Sequence, residues 1–321
     1  MSWRDRDVTV AGGAGFIGSW LVRKLLQLGA KISVVDNFER GKIENLLPYI
    51  ESLRLVKGDL MDHNFATHVL KGSEIVFDLT SKLGGIRFLS ENPAQILRTN
   101  LQMALNIAEA ARKNEVERIL FVSSSCVYGN ETAIPNLERC AAYSPPESSY
   151  GWSKIVGEKI YEAYKTQYGM NSYIVRPFNV YGPREDFEKS PHVIPQFIRR
   201  VFKGNPIVIY GDGKQTRSFT YVSDVVDGMI RCIESNYVCV PFNLGSNNET
   251  SINEIASLII KLCDPKLKVQ VKHEAEIDGD IRRRAADNRL ARQLLGWEPE
   301  VDLRTGLSNT IQWYGGVTRR D

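Results

Sequence analysis

Between Ser124 and Lys154 the chain carries a hydroxyl, a thiol, a phenol and an ammonium whose spacing suits one pocket. The run Ser123-Ser124-Ser125-Cys126-Val127-Tyr128-Gly129 is followed by Tyr150-Gly-Trp-Ser-Lys154. Tyr150 and Lys154 stand four residues apart, so on a helix they share a face. An ammonium beside a phenol lowers the phenol's pKa and makes it a usable base near neutral pH. That is equipment for oxidising a secondary alcohol. Cys126 adds a thiol that can exchange protons as its thiolate, although free cysteines also serve as small buried hydrophobes. His192, heading the run His192-Val-Ile-Pro195, is a further acid/base candidate because imidazole titrates near physiological pH. Its plainer alternative is to cap a turn.

The elements around these residues alternate. Val8 to Ala11, Lys31 to Asp36, Leu53 to Lys57, Ile75 to Leu79, Arg118 to Ser123 and Ser172 to Arg176 read as short buried strands. Helical patterns such as Gly15 to Leu28 and Ile96 to Arg112 lie between them. Apolar strands alternating with helices predict an α/β fold: a Rossmann-type, doubly wound parallel sheet. From about Asn179 the rhythm changes and Pro and Gly become frequent, which marks a smaller, interleaved C-terminal substrate domain. Pro241 to Gly245 reads as one more sheet strand. The expected division is therefore 1–178 and 222–246 for dinucleotide binding, with 179–221 and 247–321 for the substrate.

Gly12-Gly13-Ala14-Gly15-Phe16-Ile17-Gly18 comes after the first strand and opens the first helix. Glycines at 12, 15 and 18 permit a tight turn, close approach of a pyrophosphate and tight helix–strand packing. Asp36 ends the second strand, where a carboxylate accepts ribose hydroxyls and repels a 2′-phosphate; this predicts NAD in preference to NADP. Asp59 and Leu60, after the third strand, are expected near the adenine.

Of the 321 residues, 43% are hydrophobic, enough for one large or two modest domains with a proper core. A net charge of +3, with no Lys/Arg run longer than Arg282 to Arg284, gives no footprint for nucleic acid or a membrane surface. No apolar run is long enough to span a bilayer and none resembles a secretory signal. The five cysteines are scattered and lack metal-ligand spacing, which predicts reduced thiols, a cytoplasmic protein and no metal site.

With these residues in place, the chain resembles the extended short-chain dehydrogenase/reductase family, the nucleotide-sugar epimerases and dehydratases. The resemblance runs through residues 12–18, the serine run and Tyr150 to Lys154, and Arg-Pro-Phe-Asn-Val-Tyr-Gly-Pro-Arg at 176–184. It continues through Arg217 to Asp224, Asn243 to Gly245 and Leu295 to Pro299. It implies that Ser124, Tyr150 and Lys154 form a catalytic triad, with Tyr150 as base and Ser124 bonded to the reacting oxygen. Tyr150 and Lys154 would also face the nicotinamide ribose, and Phe16, Ile17, Asn37, Leu79, Ser123 and Pro177 would line the cofactor. Gly84, Gly85, Ser125, Asn179 and Arg217 would meet the sugar or its diphosphate, as would one arginine of the Arg282 to Arg284 cluster, with Arg282 and Arg283 the named candidates. Family members often pair two helices into a homodimer, and Ile96 to Arg112 and Gly151 to Tyr168 are apolar beyond one face.

The subfamily turns on the residues directly after Ser124. Dehydratases of the family carry an Asp-Glu pair there, and this chain has Ser125-Cys126. A cysteine at that place resembles GDP-mannose 3,5-epimerase and GDP-fucose synthase, which pair the thiol with a second acid/base after the 176–184 motif. By that resemblance Cys126 and His192 would invert C3 and/or C5 once C4 is oxidised. Asp36 speaks against the NADPH-using synthase. Gly129 where both groups commonly have Pro, and His192 where the mannose epimerase has Lys, are departures. A UDP-sugar 4-epimerase, whose kind shares the Asp36-Asn37-Phe38 segment, is the alternative. A non-catalytic member is disfavoured, because all three triad residues are present.

Overall fold

The computed structural model describes residues 1–186, 190, 192–263, 269–276 and 280–318. Its first half runs β1 (Asp7–Ala11), α1 (Phe16–Gln27), β2 (Lys31–Asp36), β3 (Leu53–Lys57), α2 (His63–Val69), β4 (Ile75–Asp78), α3 (Ile86–Glu91), α4 (Pro93–Lys113), β5 (Arg118–Val122), α5 (Ser149–Tyr168) and β6 (Ser172–Pro177). Next come β7 (Val180–Tyr181), α6 (Val193–Phe202), β8 (Ile207–Tyr210), β9 (Thr216–Ser218), β10 (Thr220–Tyr221), α7 (Val222–Glu234) and β11 (Pro241–Leu244). The chain then forms β12 (Glu249–Ser251), α8 (Ile252–Cys263), β13 (Val271–Glu274), β14 (Arg283–Arg284), α9 (Arg289–Leu295) and α10 (Leu303–Thr318).

Seven parallel strands pair in the order β11-β6-β5-β4-β1-β2-β3. The doubly wound sheet expected from the strand–helix alternation is present. Because β4 and β6 are buried along their whole length, their apolar runs have no polar alternation. Leu21, Leu25, Val225 and Met229 from α1 and α7 cover one face, and Met103, Ala104, Ile107 and Tyr161 from α4 and α5 cover the other. The winding reverses between β1 and β4, and at such a switch point the strand ends diverge and open a cleft.

The second body gathers α6, α8 and α10 around Tyr181, Phe197, Ile198, Ile255, Leu307 and Tyr314. Its strands form small sheets, β12-β9-β14, β10-β7 and β13-β8. Pro241 begins β11 at the edge of the large sheet, a place where a missing N–H costs no ladder bond.

One boundary differs from the sequence reading. Residues 247–321 were expected in the substrate half, yet α9 and Trp297 join the core of the large sheet. Ala291 and Trp297 belong to the same cluster as Val225, Met229, Phe242 and Leu244. Trp297 is 1% exposed, and its indole N–H donates to the Asp224 carbonyl at 2.8 Å. The Asp224 carboxylate accepts the Val301 N–H at 3.1 Å. Trp297→Ala is therefore expected to lower stability by about 3–5 kcal/mol, read from urea melts. An unchanged midpoint would show that this junction does not hold the two halves together.

Candidate functional site

The dinucleotide turn is built by steric necessity. Gly12 has φ +78°, and a Cβ on Gly18 would sit 2.2 Å from the Gly12 carbonyl oxygen. Gly15 caps α1 with no side chain, so the helix amides and the positive end of its dipole face the cleft. Asp36 stands beside them at 8% exposure, accepting the Ala14 N–H at 3.0 Å and the Phe38 N–H at 2.9 Å. Burial raises its pKa, while those two amides hold it down. Each carboxylate oxygen keeps a second lone pair for a ribose hydroxyl. An open glycine cradle, an uncapped helix start and this carboxylate fit NAD.

The surrounding predicted residues divide. Leu79 presents its carbonyl to Gly12, and Pro177 is buried at the end of β6. Asn37 turns its amide oxygen to the Glu39 N–H, Asp59 does the same for Met61, and Leu60 enters the core of the sheet. Ser123 was expected to line the cofactor, but its hydroxyl points the other way and donates to Glu158 at 2.5 Å. Glu158 in turn receives two bonds from Arg176, at 2.8 and 2.6 Å. Only the backbone of Ser123 remains for the cleft.

The chemistry-bearing side chains converge at the carboxyl ends of β4 and β5. Ser124 caps the short turn 125–127 by accepting the Cys126 N–H at 3.1 Å. The first turn of α5 packs on that turn so closely that a Cβ on Gly151 would meet the Cys126 carbonyl at 2.1 Å. That contact places Tyr150 over Ser124 and Cys126. Ser125 is buried beneath. Gly129 is required for a local reason too, because a Cβ there would lie 2.1 Å from the Pro145 carbonyl.

Tyr150 and Lys154 lie one helical turn apart, with the ammonium 5.9 Å from the phenol ring. The expected lowering of the phenol's pKa is not what the structure shows. Burial drives Tyr150 up to about 12, with the neighbouring Cys126 adding to the rise and the Ser81 and Ser124 hydroxyls opposing it. Burial likewise brings Lys154 down to about 8. The physical reason is that the ammonium is bonded to the Val122 carbonyl at 2.8 Å and the Thr80 carbonyl at 3.3 Å, while desolvation acts on both groups.

The structure separates the three arginines that the sequence left together. β14 pairs with β9 so that Arg283 lies opposite Thr216 and Arg284 opposite Arg217. Side chains alternate along a strand, so neighbouring arginines point to opposite faces. Arg283 pairs with Glu249 on the exposed side, and Arg282 pairs with Asp212. The arginine that turns inward is Arg284, which donates to the Cys126 sulfur at 3.5 Å. Arg217 lies beside it, tied to Asp280 at 2.7 Å, with its pKa lowered by burial. Period-two alternation over 282–284 was the available signal, but nothing in the sequence marked those residues as a strand. Asn179, at φ +36°, donates to the Ser218 carbonyl at 2.9 Å and anchors the same wall. Gly85 caps α3, and Gly84 lies against the Phe88 ring. Arg40, close to Asp36 in sequence, and Lys82 strap this loop down through the Leu83 carbonyl and Glu39 respectively.

His192 was expected to act as the second acid/base, across the sugar from Cys126. It caps α6, its side chain is half exposed, and its Nδ1 meets Glu185 at 2.5 Å. Among the described residues no hydrogen bond joins it to Cys126, Ser124, Tyr150 or Lys154. No cluster of three or more His, Cys, Asp or Glu among the described residues could hold a metal ion. None of their helices is long and apolar enough to cross a membrane.

Comparison with known proteins agrees with this geometry. The chain is 34% identical over 303 residues to UDP-glucuronic acid decarboxylase 4 of Arabidopsis thaliana, spanning 94% of this chain and 66% of that one. It is 33% identical over 312 residues to the UDP-N-acetyl-alpha-D-glucosaminuronate decarboxylase of Bacillus cytotoxicus, spanning 95% and 96%. Thus it covers just under two thirds of the plant relative's length. Among solved structures, the UDP-glucose 4-epimerase of Thermotoga maritima with UDP-glucose superposes with a TM-score of 0.90 at 30% identity, covering 97% of this chain and 99% of that one. Residues 8–245 match the NAD dependent epimerase/dehydratase family, and the chain, whose glycine cradle and Asp36 are built for that cofactor, belongs to it and uses NAD.

Proposed function

We propose that the chain is a UDP-sugar epimerase that inverts C4 through its transient oxidation. The observation that carries this reading is the convergence of Tyr150, Ser124 and Lys154 in one buried pocket beside the dinucleotide turn. NAD, when bound, supplies the acceptor for the C4 hydride and returns it, so no net redox change remains. Tyr150 takes the proton of the C4 hydroxyl as the C4–H bond breaks. Ser124 holds the same oxygen by a hydrogen bond, and Lys154 keeps a positive charge against the phenolate that forms. Arg217 and Arg284 form a cationic wall suited to the diphosphate. When the sugar presents its other face, Tyr150 gives the proton back to the C4 oxygen.

A second reading rests on the Arg284–Cys126 contact. The Arg284 guanidinium stands 3.5 Å from the Cys126 sulfur, and in this reading the thiol side chain removes a proton from C3 or C5 once C4 is a ketone. This is the GDP-mannose 3,5-epimerase-like course. It needs a second acid, and His192 is engaged with Glu185. The division of the chain into a cofactor half and a sugar half, and a cytoplasmic location consistent with five free thiols, belong to the same proposal.

We also propose a homodimer. Leu105 of α4 and Trp152 and Val156 of α5 are 43%, 45% and 37% exposed, on two helices packed side by side. Sedimentation at micromolar concentration is expected to give twice the chain mass, and a monomer would remove the dimer from the proposal.

Incubation with UDP-glucose, UDP-N-acetylglucosamine, UDP-glucuronate and GDP-mannose in deuterated water, with products read by NMR, separates the chemistries. The expected product is a UDP-sugar inverted at C4 with no carbon-bound deuterium. Deuterium at C3 or C5, lost in Cys126→Ser, would transfer the assignment to the thiol reading; release of carbon dioxide from UDP-glucuronate would make the chain a decarboxylase. Tyr150→Phe is expected to lower kcat by about 10²–10⁴-fold while changing KM little. Full activity in that variant would exclude Tyr150 as the base.

A further inference from the structure

Lys154 is a buried ammonium with no carboxylate of the described residues in direct contact. It is 3% exposed, and its two hydrogen bonds go to the neutral carbonyls of Val122 and Thr80. A charge in that setting is costly unless an opposite charge lies near. Two carboxylates are candidates. Glu158 comes one turn of α5 after Lys154, but both its oxygens face the Arg176 guanidinium. The other is Asp78, the last residue of β4, with 0% exposure and no cation of the described residues bonded to it.

The register places Asp78 on the face that Lys154 occupies. Asp78 pairs with Phe121 across β4 and β5, so the two side chains rise from the same side of the sheet. The Lys154 nitrogen stands 4.9 Å from the Phe121 ring centre, and Tyr161 stacks on that ring at 4.9 Å. Lys154, Glu158 and Tyr161 are spaced i, i+4 and i+7, one stripe of α5 laid over this face. Tyr161 donates its hydroxyl to Asp78 Oδ2 at 2.8 Å. The other oxygen, Oδ1, takes the Thr80 hydroxyl at 2.6 Å and the Thr80 N–H at 3.0 Å. Thr80 in turn offers its carbonyl to Lys154. Among the described residues, every hydrogen bond at the Asp78 carboxylate is donated to it.

We propose that Asp78 and Lys154 form a split ion pair, one residue apart through Thr80, in which Asp78 is a positioning residue that holds Lys154 as an ammonium. It acts in two ways. Its bonds to Thr80 aim the Thr80 carbonyl at the Lys154 nitrogen, and its charge offsets the desolvation of that nitrogen. The groups facing Lys154 are Asp78 from β4, Cys126 from the 125–127 turn, and Tyr150 and Glu158 from α5. Burial lowers the ammonium's pKa, and among the groups that raise it Asp78 has the largest effect. The inference deepens the C4-oxidation reading, which needs Lys154 charged while Tyr150 acts. Above its folded pKa, Lys154 is neutral and that support is gone.

The test is Asp78→Asn, which keeps an oxygen for Thr80 and removes the charge. Proteins labelled with carbon-13 at lysine Cε report the Lys154 titration by NMR, with Lys154→Arg to assign the signal. The wild-type midpoint is expected near 8, and in Asp78→Asn it should fall by about one pH unit. The alkaline limb of kcat should move by the same amount. Thr80→Val removes one donor and leaves the charge, so its midpoint should stay well above that of Asp78→Asn. If Asp78→Asn does not fold, Asp78→Ser, with a hydroxyl in place of the charge, takes its part. A folded, uncharged variant whose Lys154 midpoint and alkaline limb are both unmoved overturns the proposal, whatever its loss of melting temperature. The titration does not depend on turnover. A shifted midpoint in a protein that acts on no nucleotide sugar would leave the ion pair standing and remove the C4 reading instead.

Discussion

The buried ion pair between Arg176 of β6 and Glu158 of α5 is the contact on which the site depends. Their side chains are only 4% and 6% exposed and meet through two parallel bonds. Removing either partner would leave an uncompensated charge in the core, at a cost of about 3–5 kcal/mol. The pair is also a hub. Glu158 receives the Ser123 hydroxyl, while Arg176 donates to the Tyr128 hydroxyl and the Glu138 carbonyl. Tyr128 passes the chain of bonds to Asn243 on β11 at 2.6 Å. The strand end that presents Ser124, the helix that presents Tyr150 and Lys154, and the edge strand are thus held by one polar network whose members are satisfied.

That network explains how a catalytic helix can be docked with so little freedom. Gly151 touches the Cys126 carbonyl and Gly157 lies against Phe121, so α5 sits as close to β5 as backbone permits. Close docking desolvates both Tyr150 and Lys154, and desolvation is the largest influence on each. In such a pocket the phenol is not a ready base without further positive charge. The oxidised nicotinamide is one source of it. Under the proposed C4 reading, the arrangement would couple proton removal from the sugar to a loaded cofactor site.

Much of this was legible in the residues. The apolar strand runs required burial on both faces, which only a parallel sheet flanked by helices provides. The Gly12 to Gly18 turn and Asp36 required a dinucleotide, because their spacing is dictated by one local backbone geometry. The i, i+4 spacing of Tyr150 and Lys154 required a shared face. These features depend on short-range periodicity and sterics, which a linear chain displays.

Features set by contacts between distant segments were not legible. The choice of Arg284 over Arg282 and Arg283 depends on two residues of β14 adding to β9, a pairing across more than sixty positions. The turn of the Ser123 hydroxyl into the core depends on Glu158, and His192 is engaged by Glu185. Asp78 reads as the polar end of a strand until α5 is laid across it. By itself the sequence determined the sheet, the cofactor turn and the reactive residue types. Tertiary structure decided which charges face one another and how far burial shifts them, because electrostatic interactions depend on distance and solvent exclusion rather than on order along the chain.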